Sequence, residues 1–380
     1  VGYVLDGPNG LPIEGAWYAR KVGPGWGIYG LRDCIVAYNS RKPNWIRCAQ
    51  IGIGDVEPIR DGALNFIGVD AQYFSTVMIP DKASPSDVWL EETVPIRVGG
   101  YNPNWRTVTN TSFRMTSVPW TIEPGGSQSH SYTVFAGPKR PGILKEYGLG
   151  DTISYGWFPW IAIPMQKILH FLNAGVFNYG LAIILLTVIV RLAMHPLSRK
   201  STKHAEKMKQ LQPEIKKITE KYKNDPMAAR QAQQELFRKH NFNPLGGCSV
   251  MFLQLPIFLG LYRALQVDVE LREGSLLGDS IRWCSNLAAP DMLYNWSSFW
   301  DGIGMEGFNT GQGMFYLGPF LNILPLFTVA LFLVQQWIMM PPPTDDQSRM
   351  QRNVMNFMML FMGLLFFKVA SGLCIYFIAS

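Results

Sequence analysis

The sequence predicts a polytopic α-helical membrane protein preceded by an antiparallel β-sandwich domain, and three observations carry that class. The 380 residues are 48% hydrophobic but only 16% charged, well below the roughly 25% charged fraction of soluble domains. Long apolar runs are confined to the second half of the chain. Positive charge is concentrated in one stretch: Arg199 to Lys239 holds 12 basic and 5 acidic residues, a surplus that exceeds the +6 of the whole chain. A protein-wide nucleic-acid footprint is thereby excluded, and a local basic face suited to anionic lipid or an acidic partner is expected.

Residues 1–150 are rich in Gly, Pro, Trp and Tyr, with short alternating runs such as Asp33 to Tyr38 and Tyr73 to Ile79 between turn clusters. That texture belongs to antiparallel strands. The five cysteines show no CxxC and no dense spacing, which excludes a disulfide scaffold and a zinc ribbon. A single bridge between Cys34 and Cys48 stays open. Nothing in this half resembles a nucleotide loop or a metal-ligand cluster.

Residues 151–175 form an aromatic, amphipathic stretch, with Trp157, Phe158, Trp160, Ile161, Met165, Ile168, Leu169 and Phe171. A helix lying in the outer membrane interface is expected there. Val176 to Met194 is then a nineteen-residue run with one charge, close to the ~20 residues that cross the hydrocarbon. Further runs place spans near 176–196, 248–265, 314–340 and 354–370, with a fifth, partial one at 372–380. The chain starts at Val1 and stops inside this last run, so it reads as a segment of a longer protein.

The connection 199–240 is dominated by good helix formers, and Asp225 and Pro226 mark the start of a second helix. Two antiparallel helices are expected, with Met208, Leu211, Ile215, Ile218 and Tyr222 facing Ala229, Ala232, Leu236 and Phe237. The loop 266–313 holds only Arg272 and Arg282 against seven acidic residues. By the positive-inside rule the hairpin is cytoplasmic, and the β domain lies on the opposite side.

Polar residues within the spans are the functional candidates. Thr187, Arg191 and His195 recur every four residues on one helical stripe. Arg191 lies near the cytoplasmic end, where its side chain could snorkel to the interface, or it could line a wet cavity. Gln254, Tyr262, Gln335 and Gln336 could bond neighbouring helices or line the same cavity. No catalytic constellation, metal spacing or buried carboxylate pair competes, so neither an enzyme nor a cofactor is expected.

The ordered motifs Tyr155-Gly156-Trp157, Leu185 to Arg191 with Pro196-Leu197, Leu211-Gln212-Pro213, Asn243 to Cys248, Gln254 to Phe258 and Ser371-Gly372-Leu373 resemble the YidC family of bacterial membrane protein insertases. The resemblance covers about residues 155–380, with a weaker match at the end of the β domain. It implies a five-helix core whose last helix is truncated here. Within that core it implies a hydrophilic groove open to cytoplasm and lipid but closed on the outer side, working without nucleotide hydrolysis. Arg191 matches the groove arginine, Thr187 a groove-lining position, and Tyr376 the first aromatic of a Tyr-Tyr pair whose second member is Phe377 here. Gln254 completes the candidate groove. The hairpin, with Lys207, Leu211 and Tyr222, matches the region of early substrate and partner contact. Nascent membrane proteins, the ribosome, anionic lipids and a Sec translocon are the implied partners. The implied location is the inner membrane, with residues 1–175 periplasmic. A channel or small-solute transporter is the alternative class, and a packing-only assembly factor a third.

Overall fold

The structure, a computed structural model, describes residues 1–13, 15, 17–18, 21, 29–39, 41–82, 84, 87–222, 225–240, 249–276, 282–304, 316–339 and 346–380. Its compact units are Val1–Ala162 with Arg263–Arg272, and Ile163–Tyr262 with Glu273–Ser380.

The first unit is built on two antiparallel sheets. Strands β1 (Val4–Asp6), β2 (Asp33–Tyr38), β3 (Asn44–Ile46), β4 (Leu64–Asp70), β5 (Phe74–Pro80), β6 (Leu90–Arg97), β7 (Thr111–Ser117) and β8 (Tyr132–Pro138) divide as β1-β7-β6 and β3-β2-β4-β5-β8. Side chains in a strand alternate between faces, and β2 shows the consequence. Cys34, Val36 and Tyr38 join Ile67, Val69, Phe113 and Met115 in a core shared with the smaller sheet. Ile35 and Ala37 point the other way, into a second core with Val77 and Phe135. That second core is closed by Leu144 of helix α2 (Pro141–Glu146), by Leu149 and Ile153, and by Val267. A short helix α1 (Cys48–Ile53) follows β3. Pro95, which lacks an N–H, sits in β6 at the edge of its sheet, where a missing donor costs least.

Cys34 and Cys48 are both buried, unlinked thiols. The Cys48 Sγ instead lies against the carbonyls of Arg106 and Thr107, and burial raises its pKa to about 12. The outer loop expected to begin at residue 266 is, at its start, part of the β unit. Gln72 donates to the Gln266 carbonyl at 2.7 Å, and the Arg272 guanidinium lies 5.1 Å from the Phe74 ring centre.

A buried ionic cluster fixes the larger sheet. Lys21 Nζ lies 2.9 Å from Asp70 and 3.5 Å from Asp33, while Lys139 Nζ lies 2.9 Å from Asp70. Asp33 also accepts from the backbone N–H groups of Gly30 and Cys48 at 3.0 and 2.8 Å. Two ammonium groups balance two carboxylates, the arrangement in which buried charge is tolerated. Burial pushes the Asp70 carboxyl up, but Lys139 and Lys21 outweigh it and hold the pKa below the ordinary carboxylate value.

The second unit is helical. Helix α3 (Pro159–Val176) leads into α4 (Tyr179–Lys221), whose first turn is capped by Asn178 accepting from the Leu181 N–H at 3.0 Å. The expected break between the first span and the hairpin does not occur. α4 runs unbroken for 43 residues, about 65 Å at 1.5 Å per residue, with Pro196 and Pro213 inside it. A proline removes one hydrogen bond and crowds the preceding turn, and the helix formers on both sides hold the helix through each. Helix α5 (Pro226–Lys239) starts as the sequence indicates, Asp225 accepting from Met227 and Ala228 at 3.1 and 3.0 Å. It runs antiparallel to the end of α4, since Gln233 meets Thr219 and His240 meets Glu214.

Helix α6 (Ser249–Val267) follows, then α7 (Ser297–Gly302) with the short strands β9 (Tyr294–Asn295) and β10 (Phe320–Leu321), then α8 (Ile323–Met339), α9 (Asp346–Phe366) and α10 (Ser371–Ala379). Within the described part of the apolar run at 314–340 the helix begins at Ile323, because Phe320 and Leu321 pair with β9. The run at 354–370 is displaced the other way: α9 begins earlier, at Asp346, and stops at Phe366. By length and composition Tyr179–Pro196 is the one helix among the described residues able to cross a membrane. Leu255–Val267, Ile323–Ile338 and Arg352–Phe366 are shorter apolar helices.

Replacing Asp70 with Asn leaves two buried ammonium groups with one carboxylate, and should cost the β unit about 3–5 kcal/mol, read by urea unfolding followed through tryptophan fluorescence. Because folding lowers the Asp70 pKa, its contribution is complete above the unfolded value and is lost as the pH falls through the folded one. Asp70→Asn should therefore flatten the acid limb of the stability profile; a loss under about 1 kcal/mol would contradict the cluster's role.

Candidate functional site

The candidate groove is assembled on α4. Ala182, Ile183, Leu186, Thr187 and Met194 are buried, whereas Leu181, Leu185, Val188, Ile189 and Leu192 are exposed. At 100° per residue these sets form two opposed faces. Thr187 belongs to the buried face, its hydroxyl donating to the Ile183 carbonyl at 2.7 Å. Arg191 is about 40° further round and is exposed. It stands on the seam between the packed face and the exposed apolar face, with His195 beyond it, also exposed.

Helix α10 packs on the buried face. A Cβ at Gly372 would lie 3.1 Å from the Ile183 side chain and 3.0 Å from the Leu287 carbonyl, tighter than ordinary contact, so the glycine eases the approach of α10 there. Tyr376, one helical repeat on, is buried at 1% exposure. Phe377, which lacks the second hydroxyl of the Tyr-Tyr motif, is an aromatic hub. Its ring centre lies 5.4 Å from Phe258 of α6, 5.3 Å from Phe332 of α8 and 6.1 Å from Phe366 of α9. Losing the hydroxyl thus fits a packing position. Gln254 lies on α6 one turn before Phe258; its side chain, like those of Met208 and of residues 249–253, lies outside the described residues, as does the Asn243 to Cys248 motif.

Of the candidate residues, Thr187 on α4 and Tyr376 on α10 are each buried, while Arg191 is exposed. The hairpin residues form a separate group. Leu211 is buried, as is Leu236 of α5, while Lys207 is exposed and Tyr222 is half-buried at the end of α4.

Gln336 also finds a partner that single-helix reading could not supply. Its Nε2 donates to Asn356 Oδ1 at 3.0 Å, joining α8 to α9. Asn356 carries no sequence signal of its own beyond being polar in an apolar run.

Large apolar side chains cover the outward faces of this unit. Phe327, Val334 and Trp337 on α8, and Val354, Phe357, Met358 and Leu360 on α9, are all about half exposed or more. A water-facing protein rarely shows such contiguous apolar area, and lipid is the solvent in which it carries no penalty. Fold and site together define the class: an α-helical membrane unit with a polar seam, joined to a β domain.

Residues 171–380 match the family described as 60Kd inner membrane protein, and residues 53–168 match the YidC periplasmic domain. The chain belongs to the 60Kd inner membrane protein family, in agreement with the resemblance carried by the motifs. It is 33% identical over 327 residues to the membrane protein insertase YidC of Oleidesulfovibrio alaskensis, covering 84% of this chain and 52% of that protein. It is 32% identical over 330 residues to that of Pelobacter propionicus, covering 86% and 54%. With the Geotalea daltonii protein, also named membrane protein insertase YidC, it shares 40% identity over 182 residues, 47% of this chain and 34% of the relative. The chain therefore spans about a third to a half of the length of these relatives. A crystal structure of an active YidC insertase with its first transmembrane domain resolved is similar at a TM-score of 0.44 and 19% identity, over 93% of this chain and 82% of that one.

A double-mutant cycle with Gln336→Leu and Asn356→Leu should give a coupling of about 0.6–1.7 kcal/mol, the range for hydrogen bonds between membrane helices. Unfolding in mixed micelles reads it, and additive losses would show that the two side chains do not pair.

Proposed function

We propose that this chain acts as a membrane protein insertase of the inner membrane, passing nascent polypeptides sideways into lipid from a polar groove lined by Arg191 and Thr187. The observation that carries this reading is the seam on α4. A guanidinium stands where the packed face, which carries Thr187, meets a face of exposed Leu, Val and Ile. An insertase needs that juxtaposition, because its substrate has a polar tail and an apolar span that must part company. The positive charge attracts an acidic tail, while the apolar span slides onto the neighbouring lipid-facing surface.

No nucleotide enters this account. Partition of a whole apolar span into the bilayer supplies the driving force, and a shorter polar crossing lowers the barrier without altering that equilibrium. A charge at the centre of a span costs about 2.5–3.5 kcal/mol on insertion scales, a sum that many apolar residues together outweigh. Gln254 and Tyr376 are further groove positions in this reading. The helices α4, α6, α8, α9 and α10 are its membrane-crossing elements, with the β unit periplasmic. The basic hairpin is the cytoplasmic surface for anionic lipid, and the region through which ribosome-bound chains, or a Sec translocon, would be met.

The test is insertion of a single-span substrate with an acidic tail into vesicles. Arg191→Lys, which keeps the charge, should retain most of the activity, and Arg191→Ala should lose about tenfold or more, the equivalent of one charge-assisted contact. Equal activity of the two variants would remove Arg191 from the mechanism.

A further inference from the structure

The segment Leu287 to Leu293 is tied to the ends of three helices. At α8, the Asp291 carboxylate accepts from the backbone N–H groups of Ile323 and Leu324 at 2.6 and 3.4 Å. Asn322 accepts from the Met292 N–H at 3.1 Å, and it donates to the Phe367 carbonyl just past the end of α9 at 2.8 Å. At the start of α10, the Ser371 N–H and hydroxyl both reach the Ala289 carbonyl, at 2.8 and 2.7 Å, and the Gly372 N–H reaches the Leu287 carbonyl at 2.9 Å. The strap is held in register beyond these bonds by Met292, whose φ of 47° only a fixed turn imposes on a side chain of that size. Asp291, Asn322 and Ser371 are each fully buried.

Helix starts carry unsatisfied N–H groups and partial positive charge, so a carboxylate there is favourable. An exposed Ser or Asp would cap α8 without the cost of burying a charge. A fully buried carboxylate, with one oxygen unpaired among the described residues, is an expensive cap. What it adds is attachment, because the donors belong to α8 and the acceptor to the strap.

We infer that Asp291 is the positioning residue of a latch: through the strap it holds the ends of α8, α9 and α10 together and seals the helical unit on the side away from the basic hairpin. Two buried thiols lie behind it. Cys374 contacts the Thr328 hydroxyl, Cys284 contacts the Ser371 hydroxyl, and each is 1% exposed. They are built-in reporters of whether the seal is shut. The inference rests on the insertase reading only for its orientation, with the strap on the outer face.

The test uses the full chain in right-side-out membrane vesicles, a membrane-impermeant maleimide, and peptide mass spectrometry to read each cysteine. Asp291→Ala should speed labelling of Cys374 and Cys284 by about tenfold or more, the loss of one charge-assisted bond pair. Asp291→Asn, which keeps an acceptor of the same shape, should stay within about twofold of the parent. Unchanged labelling in Asp291→Ala would overturn the latch, and so would Asp291→Asn behaving like Ala. If Asp291→Ala is not recovered from the membrane, Ser371→Ala at the other end of the strap is read in its place. It should raise Cys284 labelling by about threefold or more, and no rise would likewise overturn the inference. Ser297→Cys controls sidedness: labelling of that thiol only from the hairpin side would sink the orientation, while leaving the latch itself to be read from that side.

Discussion

The proposed function depends on one constraint: a guanidinium must stay hydrated on a helix whose outward face is largely apolar. α4 meets it by placing Arg191 on the seam between its two faces. Shifted one residue toward Leu192, the charge would face the most exposed apolar position of the stripe. Shifted one residue back, toward the half-buried Val190, it would sit nearer the packed face. Thr187 turns its hydroxyl back onto its own helix, Gly372 permits the close approach of α10, and Phe377 spends its ring on packing three helices together.

The two halves solve the burial of polar groups differently. In the β unit, two lysines and two aspartates are buried as one balanced cluster, and the sheet is covered on both faces. In the helical unit, polar groups are buried singly and satisfied by backbone: Thr187 by Ile183, Thr328 by Leu324 at 2.8 Å, and Ser371 by Ala289. Gln336 with Asn356 adds a side-chain pair between helices. Backbone satisfaction suits a unit that faces lipid, since each group carries its partner within reach.

Much of the fold was legible because it is periodic. The alternation in β2, the apolar run of α4, the Asp225-Pro226 start of α5 and the Leu211 with Leu236 hairpin stripe are local patterns, and the structure places those residues accordingly. What was not legible is what long-range contact decides. Lys21, Asp33, Asp70 and Lys139 are scattered through the sequence, and nothing local marks them as one cluster. Apolar content alone extended the run at 314–340 too far, because Phe320 and Leu321 are as apolar in a strand as in a helix. Pro196, at the end of the span placed near 176–196, is an interior residue of a longer helix. On α4, the placing of Thr187 and Arg191 one turn apart was readable from four-residue spacing. The strap residues Asp291 and Asn322 were not, since a polar residue in a loop reads as solvated until its helix partners are known.

The most direct test of the central claim is water at residue 191. Spin labels placed singly at 191, at its neighbour 192 and at hairpin residue 207, in vesicles equilibrated with heavy water, report local deuterium by electron spin-echo modulation. The account predicts a signal at 191 close to that at 207 and well above that at 192. A label at 191 as dry as the one at 192 would contradict it.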